Sequence, residues 1–320
     1  GCSFLPYHDY GKGGRGWRDL WQDCLALLIM EPSVVRQMIV DNYGGVRMDG
    51  TNATIIGSRQ GEFIADRNNI TRVWMDHAFW PFVTTKLYLD QTGDLDILLE
   101  KVTYFKDLQT KRGTAHDNNW DHAYGNKQRT AGGNVYFGTI LEHILLQNLC
   151  AFYDVGEHNE MRLHGADWND ALNVTTDEYA ESVMLSHQFC LALKELEALL
   201  KKKGDQVYAG KIAEEYRILR NSINAYAWDG AWYMRALSDV ENIGSKNSEG
   251  SKIYLNAQTW AVLGDVADAE KLPKILKAVD SMEHDFGFPL NLPPYQKYSP
   301  NVGRMSGMLP GLFENGGVYC

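Results

Sequence analysis

The stretch HGADWNDALN, residues 164–173, sets Asp167 and Asp170 three positions apart around Trp168 and Asn169. Asp170 has an indole and a like charge as near neighbours, and both favour the protonated form of a buried carboxyl. A carboxylic acid that keeps its proton near neutral pH is what protonation of a glycosidic oxygen requires. The same residues also fit a polar turn, in which Asp167 caps and Asn169 bonds to nearby backbone. Both readings stand at this level. His164 taken alone reads as structural.

Three further stretches carry suitable groups. GWRDLWQD (16–23) sets Arg18 beside Asp19 at a helix start, fit either to cap the helix or to hold hydroxyls and an oxyanion. ADRNNITRVWMDHAFWPF (65–82) has Arg67, Arg72 and Asp76 ahead of Trp80, in a run of aromatics that serves either a core or a sugar-binding wall. PGLFENGGVYC (310–320) holds Glu314 in a Gly/Asn turn. With 9 Trp and 17 Tyr the chain has ample rings to pack in a core or against sugar C–H faces.

The elements that would position these groups are helical. Phe189, Leu193, Leu196 and Leu200 recur at helical spacing, as do Ile212, Tyr216, Leu219, Ile223 and Tyr226, and Leu272, Ile275, Val279 and Met282. Pro32 suits a first helical position, Gly44-Gly45 a helix end, and Asp94 a cap for a helix carrying Leu98, Val102 and Phe105. The spacing predicts helices near 17–30, 32–43, 73–91, 94–107, 134–154, 177–203, 207–228, 253–264 and 268–283. NATIIG is the best strand candidate. The fold class is therefore all-α, antiparallel helices in a bundle, solenoid or helical toroid, and the absence of a fixed-period repeat argues against the solenoid. The irregular segments 1–16, 44–72, 108–133, 157–176, 229–252 and 284–320 hold the polar and aromatic candidates, and long irregular connections usually carry function.

Bulk properties narrow the setting. A net charge of −10 disfavours nucleic acid and anionic membrane as partners. No apolar run approaches the roughly 18 residues that cross a bilayer, and the first residues show no signal peptide. Five cysteines without CxxC spacing point to reduced thiols in a cytoplasm and to no metal site.

Taken in order, WRDLWQD, DHAFWPF, GADWNDALN and ENGGVYC resemble the inverting disaccharide and oligosaccharide phosphorylases of glycoside hydrolase family 94. The resemblance runs through essentially the whole chain and is nearest to the 1,2-β-oligoglucan phosphorylases. It implies an (α/α)6 barrel. It makes Asp170 the general acid, lets Trp168, Asp19 and Glu314 contact the sugar, and gives Arg18 to phosphate. Roles for Asp76, Arg67 and Arg72 in substrate binding follow from the same resemblance. It implies reversible phosphorolysis of β-1,2-gluco-oligosaccharides to α-glucose 1-phosphate, with inorganic phosphate as co-substrate and no cofactor. Homodimers are allowed. The family's β-sandwich, its later phosphate-binding His and its last helices are not among these residues. The expectation is thus a single catalytic domain over 1–320 that depends on further parts of a longer chain. Rival readings are a hydrolase on the same toroid, the phosphorylase-like domain of a cyclic β-1,2-glucan synthase, and a sugar-binding module without catalysis.

Overall fold

A computed structural model of the chain describes residues 14–57, 59–65 and 73–318. Helices dominate it, with eight α-helices among the described residues. The chain divides into two compact units, Gly1–Ala151 and Phe152–Cys320.

In the first unit α1 (Trp17–Met30), α2 (Pro32–Tyr43) and α3 (Phe79–Thr92) pack on one another. The Pro32 start and the stop at Gly44 follow the sequence signals. The packing surfaces are aromatic. Trp17 meets Trp21 edge-on at 5.8 Å, and Trp21 tilts against Tyr43 at 5.1 Å, a geometry that suits ring quadrupoles. All three rings are fully buried. Thr84 donates its hydroxyl to the Trp21 carbonyl, and Tyr43 and Thr85 share a hydrogen bond, so these hydroxyls are satisfied inside the core. A small antiparallel sheet joins Arg15–Gly16, Ile55–Ile56 and Phe63–Ile64, and it includes the strand expected in NATIIG.

The helix expected over 94–107 does not form. Leu95–Leu99 makes one 3-10 turn, and Lys101–Thr103 is a strand paired antiparallel with Phe137–Thr139. The β-branched Val102 and Thr103 suit the ladder. Asp94 caps nothing with its side chain; its carboxylate accepts from Arg36 Nε at 2.7 Å and from Tyr88 at 2.9 Å. The segment expected over 134–154 likewise opens as that partner strand, and α4 runs from Ile140 to Phe152. The all-α class is therefore corrected at its margins: short ladders, two or three residues long, staple the segments between helices.

In the second unit α5 (Val183–Lys202) and α6 (Gln206–Tyr226) form an antiparallel hairpin through the KKKGDQ turn. Ser182 caps α5 by accepting from Leu185 N, and Asp205 caps α6 by accepting from Tyr208 N. Helix α7 (Leu255–Leu263) packs on α5, and α8 (Leu272–Asp280) on α7. Strand Glu181–Ser182 pairs with Ala236–Leu237, and Ile253–Tyr254 with Asn291–Leu292, so each enters its helix from a ladder.

Helix α5 carries an ionisable group inside this core. His187 is fully buried, its ring edge-on to Tyr233 at 4.9 Å, and burial pushes its imidazole down to about 3 from 6.5. Below pH 6.5 the unfolded ring takes up a proton that the folded ring refuses, so stability falls as pH drops through this window, at most by roughly 1.4 kcal/mol per pH unit. Urea unfolding at pH 7 and pH 5 should show a steeper acid loss in the wild type than in His187→Gln; equal losses would remove His187 from the account.

Candidate functional site

In the second unit the acid loop is built around one buried ion pair. Asp167 and Arg235 are both completely excluded from solvent. Arg235 Nη2 donates to Asp167 Oδ1 at 2.7 Å, and Nη1 lies 2.7 Å from Oδ2. Ser182 donates its hydroxyl to the same Oδ2 at 2.5 Å, and Asn169 N donates to Oδ1 at 2.9 Å. A carboxylate this deep is tolerated only when a bidentate guanidinium and further donors replace its water.

The turn expected from the sequence is present as well. Asn169 Oδ1 accepts from Ala171 N and Leu172 N, which closes the loop over Trp168 and Asp170. Upstream, His164 holds a left-handed backbone at φ 47 and bonds Asp154 through Nε2 at 2.9 Å. Such a conformation costs energy in a residue with a Cβ and persists where neighbours fix it. Trp168 and Asp170 are half-buried, while Asp167 and Asn169 lie beneath them. The loop thus sinks its structural acid and leaves the other within reach of solvent. Arg235 thus balances the charge of Asp167 beneath the loop.

A second segment locks the far side of this loop. Met305 N donates to the Ala171 carbonyl, Arg304 N donates to Asn173 Oδ1, and Arg304 Nη2 lies 3.5 Å from the Asp170 carbonyl. Gly303, at φ 81, makes the approach possible, since a Cβ there would sit 2.3 Å from Asn173 Oδ1. Glu314 is half-buried, and its neighbour Asn315 is fully buried and bonds Tyr295 N and O at 2.7 and 2.9 Å. Arg235, Ser182, Arg304 and Asn315 were invisible to pattern reasoning, because these partners lie from 15 to 134 positions away.

The first unit holds the other candidates. Arg18, at the start of α1, clamps the fully buried Asp76 through Nε at 2.5 Å and Nη2 at 2.9 Å. Trp80 Nε1 adds a third donor to Asp76 at 2.9 Å, and the Arg18 guanidinium lies 5.8 Å from the centre of the Trp74 ring. Two residues read as ligands for different parts of the substrate are thus bonded to each other. Asp19, on the next position of α1, is half-exposed and lies 3.9 Å from Arg15. Arg112, from a hairpin of Gln109–Thr110 and Ala115–His116, lines a small pocket with Asn52, Trp74 and His77. The sequence marked 108–133 as functional but gave Arg112 no place. Arg67 and Arg72 lie outside the described residues.

The buried pair makes a direct claim on stability. Arg235→Met strands the Asp167 charge and should cost about 3–5 kcal/mol, whereas Arg235→Met with Asp167→Leu should recover most of it. Urea titration of both variants checks this, and a loss below about 1 kcal/mol for the single variant is incompatible with the pair as described.

Comparison with known proteins places these features. Residues 131–320 match the model of the glycosyl hydrolase 94 superfamily catalytic domain. The solabiose phosphorylase of Paenibacillus borealis is 32% identical over 312 residues, 96% of this chain and 36% of its own length. The 3-O-beta-D-glucopyranosyl-beta-D-glucuronide phosphorylase of the same organism is 33% identical over 305 residues, 95% of this chain and 36% of its own. The cyclic beta-(1,2)-glucan synthase of Rhizobium meliloti is 25% identical across 100% of this chain, which corresponds to 11% of that protein. The chain therefore spans little more than a third of the length of the phosphorylases it matches. In fold it resembles a rhamnosidase from Klebsiella oxytoca with rhamnose bound, at TM-score 0.54 and 13% identity, over 86% of this chain and 43% of that one. Helix-rich, consistent with a helical toroid and matched over its acid loop and its Glu314 turn, the chain belongs to the glycosyl hydrolase 94 superfamily.

Proposed function

We propose that this chain is the catalytic part of an inverting glycoside phosphorylase acting on β-glucosides, with β-1,2-gluco-oligosaccharides as substrates. The observation that carries the reading is the acid loop: Asp167 is fixed by Arg235 and Ser182 while Asp170, three residues on, stays half-exposed, within a segment that matches the family's catalytic domain. Similarity to phosphorylases at 32–33% identity supports the reaction class, and similarity to a cyclic beta-(1,2)-glucan synthase along the whole chain supports the linkage.

In this mechanism Asp170 gives its proton to the interglycosidic oxygen, and inorganic phosphate attacks the anomeric carbon from the opposite face. Phosphate arrives as an anion and needs no base to activate it, so one carboxylic acid suffices where an inverting hydrolase needs two. The products are α-glucose 1-phosphate and a glucan one unit shorter, and the reaction runs in reverse. Trp168, Asp19 and Glu314 hold the sugar. Arg18 is assigned to phosphate, with its charge already balanced by Asp76. The reading further takes the helices to belong to an (α/α)6 barrel completed by other parts of a longer chain, working in the cytoplasm as a monomer or homodimer without a cofactor. Among the described residues no helix is long and apolar enough to cross a membrane.

The test uses the full-length protein with β-1,2- and β-1,4-linked gluco-oligosaccharides, with and without phosphate. Phosphate-dependent release of α-glucose 1-phosphate is expected, and Asp170→Asn should lower turnover by about 10²–10⁴-fold without loss of folding. Release of sugar without phosphate, or an Asp170→Asn variant with near-normal rate, contradicts the proposal.

A further inference from the structure

The second unit contains a cleft of about 580 Å³ that none of the assigned roles uses. One wall is the segment from Pro293 to Val302, and the other comes from Glu241 to Gly250. The volume falls in the range of sites for small organic ligands, roughly 300–1,000 Å³. The lining mixes ring faces and hydrogen-bonding groups. Tyr298 is 59% exposed, Tyr295 presents a buried ring, and Gln296, Asn301 and Ser248 add amides and a hydroxyl. An exposed ring beside amides is the composition that a sugar chain satisfies, with C–H faces on the ring and hydroxyls on the polar groups.

The cleft walls are hydrogen-bonded to the segments on either side of the acid site. Tyr295 OH and Tyr254 OH share a 2.8 Å hydrogen bond in the core. Gly250 lets the Tyr295 ring approach, since a Cβ there would sit 2.2 Å from it. Asn315, next to Glu314, bonds the Tyr295 backbone through both ends of its amide. At the other end Ser306 bonds Ser299 N and O, and the chain passes directly into Gly303–Met305, which hold Asn173, the Asp170 carbonyl and Ala171. The wall therefore runs from the Glu314 turn to the Asp170 loop.

We propose that this cleft binds the part of a neutral oligosaccharide lying beyond the bond that is broken, with Tyr298 as its stacking platform. The proposal rests on the phosphorylase reading and adds a subsite and a ligand class to it. Charge selects the class. Glu241 and Glu249 face the cleft against the single Lys297, so a uronate or other carboxylated sugar would meet net repulsion.

The experiment measures binding by calorimetry to full-length Asp170→Asn protein, using β-1,2- and β-1,4-linked glucans of two to five units. Affinity should rise with length beyond the disaccharide, and Tyr298→Ala should abolish the rise, a loss of about tenfold on the longest glucans, with the disaccharide unchanged. Tyr298→Phe should retain it. Glu249→Lys should strengthen binding of an oligosaccharide ending in glucuronate at least threefold. Affinity independent of length on both linkages, or equal weakening of all lengths by Tyr298→Ala, overturns the cleft assignment. Because binding is read in a protein without turnover, length-dependent binding that Tyr298→Ala removes upholds the cleft even where the phosphorolysis assay fails.

Discussion

A fully buried charge pair is the constraint around which the second unit is arranged. Asp167 and Arg235 have no water to solvate them, and the desolvation of each is offset only by the other and by the hydrogen bonds around them. Those bonds tie three pieces of chain into one node: the acid loop through Asn169, the start of α5 through Ser182, and the strand Ala236–Leu237 that carries Arg235 inward. None of the three can shift without leaving a charge or a donor unpaired. The geometry of Asp170 is inherited from that rigidity, since its own position lies three residues from the fixed carboxylate.

The first unit solves a similar problem in the same way. Arg18 and Asp76 form a bidentate pair, with an indole N–H as third donor and an aromatic ring within reach of the guanidinium. In each unit the arginine comes from a helix start or the residue just before a strand, and the aspartate from a loop or 3-10 turn. Pairing across such a distance in sequence fixes irregular backbone that has little regular hydrogen bonding of its own. Buried pairs of this kind contribute little net stability compared with apolar packing. Breaking one partner leaves the other as an uncompensated buried charge.

How much of this was legible depended on whether the controlling partner was local. Helices α1 and α2 were read to the residue, and Pro32 and the Gly44-Gly45 pair punctuate the chain at the two ends of α2. The 94–107 segment misled because Leu98, Val102 and Phe105 are all buried and share helical spacing, yet Val102 is buried by pairing with Gly138, far along the chain. In the acid loop the Asn169 turn was visible, since its partners are two and three residues on. Arg235 was not, since it sits 68 positions from Asp167 in an apolar run with no sign of the charge it meets. The same holds for Arg18 and Asp76. Each was noticed as a candidate, and only tertiary structure showed that they answer one another.

The dual use of Ser182 has a consequence for local motion. Its hydroxyl oxygen accepts from Leu185 N at the first turn of α5, and its proton goes to Asp167 in the acid loop. The first turn of the helix and the loop are therefore parts of one cooperative unit rather than separately fraying segments. Opening the first turn of α5 at Leu185 therefore loosens one of the donors that hold the Asp167 carboxylate. A helix end, usually the first place to fray, here shares the stability of the loop that it caps.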